Sequence, residues 1–376
     1  MNLTIFDHHK DPDTVIIHRD NVSITFANNQ EDFYKNVEEF LNRTFDIVLL
    51  DQNHDSFITG IIHFINSKKK TEFKCYSGAL DKNFINELKD SGIEDVLSIN
   101  SLQVYNSDLG EFDSIRLINP HETGLANISC CQVLYKALKN KDEFVRDLTG
   151  IGISSDYTLE EGYDLIVEII KAYNDVFSEL MTRVLELSLN KYNILDSAFG
   201  KLSQMFWAPC VLEQEKGVEE IVSNIIENPS FSYRDLLDEK TKNVAVQYLK
   251  KQWEKYSGIL KKEKELFSKE KIIDGKIILY EPEYKSENFV REFSNIVKDE
   301  NIDKIVIMKT KTEEGKIKYS IRRGELDIDL GAILKSMGKG GGNPFAAGCT
   351  VDEDDNFEEK FIETVKNIIA VSYTHL

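Results

Sequence analysis

The chain has 376 residues, 46 of them basic and 65 acidic, for a formal charge of −19. At 41% hydrophobic, with 6 prolines and 20 glycines, it has material for real cores and is neither disordered nor a linker-repeat protein. The charge excludes bulk electrostatic attraction to nucleic acid as the main binding force. A phosphate-bearing ligand has to be held locally, by metal ions, backbone amides or a few placed Lys and Arg. The length predicts two domains, and no apolar run approaches the ~20 residues of a membrane span. The start, MNLTIFDHHKD, lacks the basic and apolar regions of a secretory signal. Five cysteines without C-x-x-C spacing fit a reducing cytoplasm.

Leu3–Phe6 and Val22–Phe26 read as short strands, and Gln30–Leu41 (QEDFYKNVEEFL) has helical spacing. Asp46–Leu50 (DIVLL) is a buried-type strand that runs into Asp51. Phe57–Asn66 is apolar on one face. Phe73–Tyr76, Val96–Ile99 and Ile115–Ile118 read as further strands, and Asn83–Asp90 as a helix. Strands alternating with helices predict a parallel, doubly wound α/β sheet, which places ligands at the carboxyl ends of its strands. The polar residues after Phe6, Leu50, Ile99 and Ile153 therefore matter most. From about Leu159 to Lys271 the chain reads as helical. Within it Val244–Lys271, long and rich in Lys and Glu, reads as a solvated linker helix.

From Ile272 onward KIILYE, DKIVIMKT and KIKYSIRR read as strands, and Ser286–Val297 and Asp354–Ile369 as helices. This predicts a smaller, separate α/β domain. It carries the run Lys339-Gly340-Gly341-Gly342-Asn343-Pro344-Phe345-Ala346-Ala347-Gly348. Val371–Leu376 (VSYTHL) resembles a translated adapter run and is expected to be a non-native tail.

After the first strand stands Asp7-His8-His9-Lys10-Asp11-Pro12-Asp13. Carboxylates two residues apart, with an imidazole two before, can point into one site from an extended loop. Hard oxygen with imidazole suits manganese, magnesium or zinc; the same run also suits a polar capping loop. Asp51 ends a buried strand, where it is either catalytic or the cap of the next helix. Asp156 follows Gly150-Ile151-Gly152-Ile153-Ser154-Ser155, as a carboxylate at an apolar edge or as another helix cap. Gly340, Gly341 and Gly342 let backbone approach a phosphate and offer it amides, or they serve a tight turn. Arg322, Arg323, Lys335 and Lys339 are the nearby cations, and Arg grips phosphate through two bonds.

Together these motifs resemble the DHH phosphoesterase superfamily, especially its RecJ-like branch. His9-Lys10-Asp11-Pro12-Asp13-Thr14 is similar to the family's first motif, H-x-D-x-D-G, with Thr14 in place of the glycine. Asp51 matches the second motif and Asp156 the fourth. Asn119-Pro120-His121 and the following SCCQVLYKAL resemble the N-P segment and its helix. GGGNPFAAG resembles the G-G-G-H-P-x-A-A-G signature, and Ser320-Ile321-Arg322-Arg323 the Ser-x-Arg strand before it. The resemblance covers nearly the whole chain, in order. Two departures stand out. Asn100, Ser101 and Leu102 occupy the place of the namesake Asp-His-His, and Asn343 replaces the signature histidine.

The resemblance implies a doubly wound DHH domain (1–190), a helical connector (191–271) and a smaller α/β DHH-associated domain (272–370), with 371–376 outside. It implies two manganese or magnesium ions, His9 and Asp11 at one, Asp13 and Asp156 at the other, and Asp51 between them. Asp51 and Asp156 would then be catalytic. Arg322, Arg323, Gly340, Gly341, Gly342 and Asn343 would bind substrate. Ser101 leaves the second metal short of an imidazole, and His54 or His121 could approach in its place. The implied function is metal-dependent hydrolysis of phosphodiester bonds in single-stranded nucleic acid or short oligonucleotides, by a phosphodiesterase or exonuclease whose activity the departures can reduce. The alternative is a catalytically inactive RecJ-like scaffold, a nucleic-acid-binding subunit among replication or repair proteins. Neither reading involves a membrane, and both place the protein in the cytoplasm.

Overall fold

The structure, a computed structural model, describes residues 1–6, 23–25, 30–67, 71–76, 79–80, 82–99, 103–104, 112–119, 128–139, 141–155, 159–189, 194, 197–312, 314–353 and 355–374. It divides into two compact units, Met1–Trp253 and Glu254–Leu376. Residues 191–253, expected as part of a connector, fall within the first unit.

The first unit begins with β1 (Asn2–Phe6), β2 (Ser23–Thr25), α1 (Gln30–Asn42), β3 (Ile47–Leu50), α2 (His54–Asn66) and β4 (Glu72–Cys75). There follow β5 (Ala79–Leu80), α3 (Lys82–Asp90), β6 (Asp95–Ile99), β7 (Gln103–Val104) and β8 (Ser114–Ile118). A six-stranded sheet runs in the order β2-β8-β1-β6-β3-β4, and every pairing in it is parallel. Alternation along each strand divides its side chains between two faces. Leu3, Ile5, Ile47, Leu49 and Val96 meet Phe84, Ile85 and Leu88 of α3. On the opposite face the Phe6 ring lies 5.4 Å from Phe40 of α1. There a Cβ on Gly60 of α2 would come 2.6 Å from Leu50, so glycine lets that helix sit close to the strand. Helices therefore cover both faces, as the alternating pattern predicted.

Four helices come next: α4 (Cys130–Ala137), α5 (Glu143–Ser155), α6 (Leu159–Ala172) and α7 (Ser178–Leu185). The Gly150–Ser155 run, expected as a strand edge, is the end of helix α5. A short apolar run does not distinguish a buried strand from a buried helix, and α5 is buried continuously from Phe144 to Ser154. Its glycines serve close helix contacts. A Cβ on Gly150 would meet Ile169 at 2.4 Å, and one on Gly152 the Cys131 sulfur at 2.5 Å. Within α5, Asp147 accepts from Arg146 Nε (3.0 Å) and from the Tyr173 hydroxyl (2.5 Å), while its carbonyl accepts from Tyr233 (2.8 Å). Burial pushes the Asp147 carboxyl up, against those two side-chain hydrogen bonds.

The unit ends with α8 (Ala198–Glu227), α9 (Tyr233–Leu237) and the first part of α10 (Val244–Glu270). Helix α10, expected to be a solvated linker, buries a stripe instead: Ala245, Leu249 and Gln252 in the first unit, Tyr256, Glu263 and Phe267 in the second. The three- and four-residue spacing keeps these side chains on one face among the Lys and Glu positions.

The second unit continues with β9 (Ile272–Asp274), β10 (Ile277–Tyr280), α11 (Glu287–Glu300), β11 (Ile305–Lys311) and β12 (Ile317–Arg323). It closes with α12 (Leu330–Ser336), β13 (Gly340–Gly342), β14 (Ala346–Val351) and α13 (Phe357–Thr374). Its sheet order is β13-β14-β12-β11-β10-β9, with β10 and β11 parallel and the other pairs antiparallel. One face packs Ile307, Tyr319, Ile321, Ala347 and Cys349 against Leu330, Leu334, Phe357 and Phe361. Helix α11 lies against β11 and β12. The buried Glu263 carboxylate accepts from the Tyr280 hydroxyl at 2.7 Å and from the Glu283 amide at 2.9 Å, which fixes the corner between β10 and α11. All five cysteines of the chain are buried thiols. Among the described residues no helix is long and apolar enough to cross a membrane.

His63 of α2 is fully buried beside Phe40, Phe45 and Phe64, and neither ring nitrogen has a hydrogen-bond partner. Burial pushes its pKa down to about 4 from 6.5. The unfolded chain therefore binds more protons between those values, and stability falls as pH drops through that window. At pH 5 the loss attributable to His63 is about 2 kcal/mol. Thermal unfolding of His63→Phe should show a clearly smaller drop in Tm between pH 7 and pH 5 than the parent chain. An equal drop in both proteins would contradict this assignment.

Candidate functional site

Three neighbouring strands of the first sheet end level. Phe6 of β1 and Leu50 of β3 both pair in register with Ile99 of β6. The segments that leave them carry His9, Asp11 and Asp13, then Asp51, then Asn100, Ser101 and Leu102. The chain thus leaves three neighbouring strands at one sheet edge, and Asp51 stands there. Asp156 directly follows Ser155, the last residue of α5. His9, Asp11, Asp13, Asn100, Ser101, Leu102, His121 and Asp156 lie outside the described residues.

Asp51 is described, and it is half-buried. Its amide donates to Ser56 Oγ at 2.8 Å, and Ser56 Oγ donates to the Ile99 carbonyl at 2.6 Å. One hydroxyl therefore ties the ends of β3 and β6 together. The cap of α2 is Asn53, whose side chain accepts from the Ser56 amide at 2.8 Å and donates to Asp51 Oδ2, also at 2.8 Å. Capping thus falls to Asn53, and the Asp51 carboxylate stands at the strand end with an amide donor beside it. His54 turns to α8: its Nε2 lies 3.2 Å from the Ser203 carbonyl, and its ring stacks on Trp207 at 4.7 Å.

Asp55 belongs to none of the sequence motifs. This buried carboxylate accepts from the Cys130 and Cys131 amides, both at 2.8 Å. It caps the start of α4 from a different helix, where Ser129 makes no side-chain cap. No local spacing announces a cap supplied from 75 residues away in sequence.

A second site lies wholly within the second unit. A cleft of about 260 Å³ is lined by Arg291 and Glu287 of α11, by Lys318, Ser320 and Arg322 of β12, and by Gly341, Gly342 and Ala346–Gly348. Arg322 donates through Nε to Asn295 at 2.9 Å. Burial and the neighbouring Arg291 charge push its pKa down to about 10, with Glu292 acting the other way. A guanidinium crowded by burial and by a like charge favours an anion as neighbour. Arg323, grouped with Arg322 in the sequence reading, does not line this cleft. It is buried, donates to the Pro344 carbonyl at 2.8 Å and to the Gly324 and Leu326 carbonyls, and lies over the Phe345 ring at 4.3 Å. Strand alternation explains the split, since neighbours on β12 point to opposite faces.

The glycine triplet divides likewise. A Cβ on Gly340 would fall 2.3 Å from the Gly348 carbonyl. Gly342 has φ +149°, and a Cβ there would fall 2.3 Å from the Ala346 carbonyl. Both are required by the β13–β14 hairpin. A Cβ on Gly341 meets nothing within 4 Å, so its exposed backbone borders the open cleft. Asn343 holds the turn: its Oδ1 accepts from the Phe345 and Ala346 amides, both at 2.9 Å.

The DHHA1 domain family matches residues 274–371, the part of the chain that forms this sheet. That part of the chain is a DHHA1 domain, and the chain has the RecJ-like fold. RecJ from Thermus thermophilus, in complex with Mn2+, superposes with a TM-score of 0.57 at 14% identity, over 93% of this chain and 56% of that one. The chain thus spans little more than half of that relative. An exonuclease RecJ bound to manganese gives 0.57 at 13% identity, over 93% and 96%. A pGpG-specific phosphodiesterase, PggH from Vibrio cholerae, gives 0.50 at 11%, over 86% and 99%. No curated protein matches the chain by sequence. Among the described residues no group of three or more His, Cys, Asp or Glu is arranged to hold a metal.

The two kinds of glycine in the DHHA1 triplet can be separated by substitution. Gly342→Val should lower stability by about 2 kcal/mol or more, because its Cβ strikes backbone. Gly341→Val should melt within a few degrees of the parent yet weaken binding of thymidine 5′-monophosphate at least tenfold, read by calorimetry. Unchanged binding in a folded Gly341→Val would remove Gly341 from the ligand site.

Proposed function

We propose that this protein is a metal-dependent phosphoesterase of the RecJ-like type, hydrolysing phosphodiester bonds in single-stranded nucleic acid or short oligonucleotides. The observation that carries the reading is the level ending of β1, β6 and β3, with Asp51 held at the end of β3. A site of His9, Asp11, Asp13, Asp51 and Asp156 would have one imidazole and four carboxylates. Those are hard donors, which suit manganese or magnesium. Bound there, such ions would supply Lewis acidity at a phosphoryl oxygen and at the attacking water.

The chain's own residues do the rest. The Ser56 hydroxyl holds the Asp51 backbone on the sheet edge, and the Asn53 amide orients its carboxylate. In the DHHA1 domain, Arg322 and Arg291 offer guanidinium donors to a phosphate while Gly341 lets it approach. Arg323 and Asn343 support that site from behind by holding the hairpin turn, rather than by touching ligand. A compact anion site of this kind reconciles phosphate binding with an overall charge of −19. The chemistry fits a cytoplasmic protein. Replication or repair proteins are the partners to seek if turnover is absent, because Asn100, Ser101 and Leu102 stand where the family has Asp-His-His.

Purified protein with manganese should release mononucleotides from labelled single-stranded DNA, RNA or dinucleotides. Asp51→Ala and Asp156→Ala should each lower kcat by about 10³-fold or more, as expected for about 4 kcal/mol of lost transition-state stabilisation. No turnover on any of these substrates, together with no manganese binding by calorimetry, would overturn the enzymatic reading in favour of the scaffold.

A further inference from the structure

The cleft of the DHHA1 domain is longer than one phosphate needs. On β12 the side chains of Lys318, Ser320 and Arg322 alternate with the buried Tyr319, Ile321 and Arg323. The first three therefore share one face, and all three line the cleft. Four residue steps of strand lead from Lys318 to Arg322, about 13 Å along the chain. The neighbouring strand keeps the row open: Ser320 pairs with Gly348, and Arg322 with Ala346. Small residues beside a row of donors give an extended backbone a floor to lie on.

The two ends of the row differ. Arg322 and Arg291 form the end where like charges crowd. At the other end Lys318 Nζ makes an ion pair with Glu287, in the first turn of α11. Glu287 is the one carboxylate among the cleft-lining residues, against the three cations Arg291, Lys318 and Arg322. Both members of the pair are substantially solvent-exposed, so the pair is weak and exchangeable.

We propose that Lys318 is a second phosphate subsite, shielded by Glu287, so that the cleft selects ligands with at least two phosphates along one strand over mononucleotides. A second phosphate takes Lys318 from Glu287. The exchange trades one ion pair for another and leaves the Glu287 carboxylate near the ligand, which limits affinity for long polyanions. This deepens the phosphoesterase reading and rests on the cleft being its phosphate grip.

The test is calorimetry in EDTA, where no metal supports turnover, with thymidine 5′-monophosphate and with the 5′-phosphorylated dithymidine dinucleotide. Lys318→Ala should weaken the dinucleotide roughly tenfold, the worth of one charge-assisted hydrogen bond. It should reduce the salt dependence of dinucleotide binding and leave the monophosphate unchanged. Glu287→Gln should act with the opposite sign, tightening the dinucleotide severalfold. Arg322→Ala should weaken both ligands. Effects of opposite sign at Lys318 and Glu287 cannot both come from misfolding. If both ligands bind and respond to Arg322→Ala but not to the Lys318 and Glu287 variants, the second subsite is refuted and the phosphate grip stands. If neither ligand binds the parent protein, the grip and the subsite fall together.

Discussion

A single hydroxyl sets the geometry of one edge of the first unit's sheet. Ser56 accepts from the Asp51 amide and donates to the Ile99 carbonyl, so the chain leaving β3 cannot move independently of the chain leaving β6. Parallel sheets leave unpaired backbone groups at strand ends, and buried ones must find partners. Here one side chain from the next helix satisfies an orphan on each of two strands. Asn53 completes the arrangement by capping that helix and bonding to the Asp51 carboxylate. The acid at the strand end is thus positioned by the device that starts α2. Asp55, one residue before Ser56, extends the control to the start of α4.

In the second unit the organising constraint is strand alternation. On β12, Tyr319 and Ile321 belong to the hydrophobic core, and Arg323 is buried on backbone carbonyls. The residues between them face the cleft. The same strand therefore serves the core with Tyr319, Ile321 and Arg323 and gives Lys318, Ser320 and Arg322 to the cleft. The glycines of the adjoining hairpin follow the same economy. Two are excluded from change by backbone contact, and the middle one is left bare.

Much of this was legible in the sequence. The apolar runs that became β1, β3, β6 and β8 were evident, and so were the glycine triplet and Arg322. The resemblance to RecJ-like proteins anticipated the fold and the DHHA1 match of the second unit. Three things were not legible. The Gly150–Ser155 run lacked any local mark separating a strand from a helix buried on all sides. Arg322 and Arg323 are adjacent and chemically alike, and only the register of β12 against β14 separates a cleft-facing side chain from a scaffolding one. Arg291 and Glu287 read as ordinary surface charges of an amphipathic helix until α11 is laid against β12. Such pairings are long-range, and no sequence window contains them.

The burial of all five thiols has a use beyond the fold. The Cys75 thiol is pushed up by burial, with Cys210 and the acidic neighbours Glu215, Asp51 and Glu219 adding to the effect. Burial pushes Cys349 up to about 12. Thiols shielded in this way are inert until the structure around them opens. Four belong to the first unit and one, Cys349, to the second. Alkylation rates of the untouched protein therefore report separately on the opening of each unit. Cys349, on the strand beside the cleft, becomes a built-in clock for how often the second unit's sheet breathes.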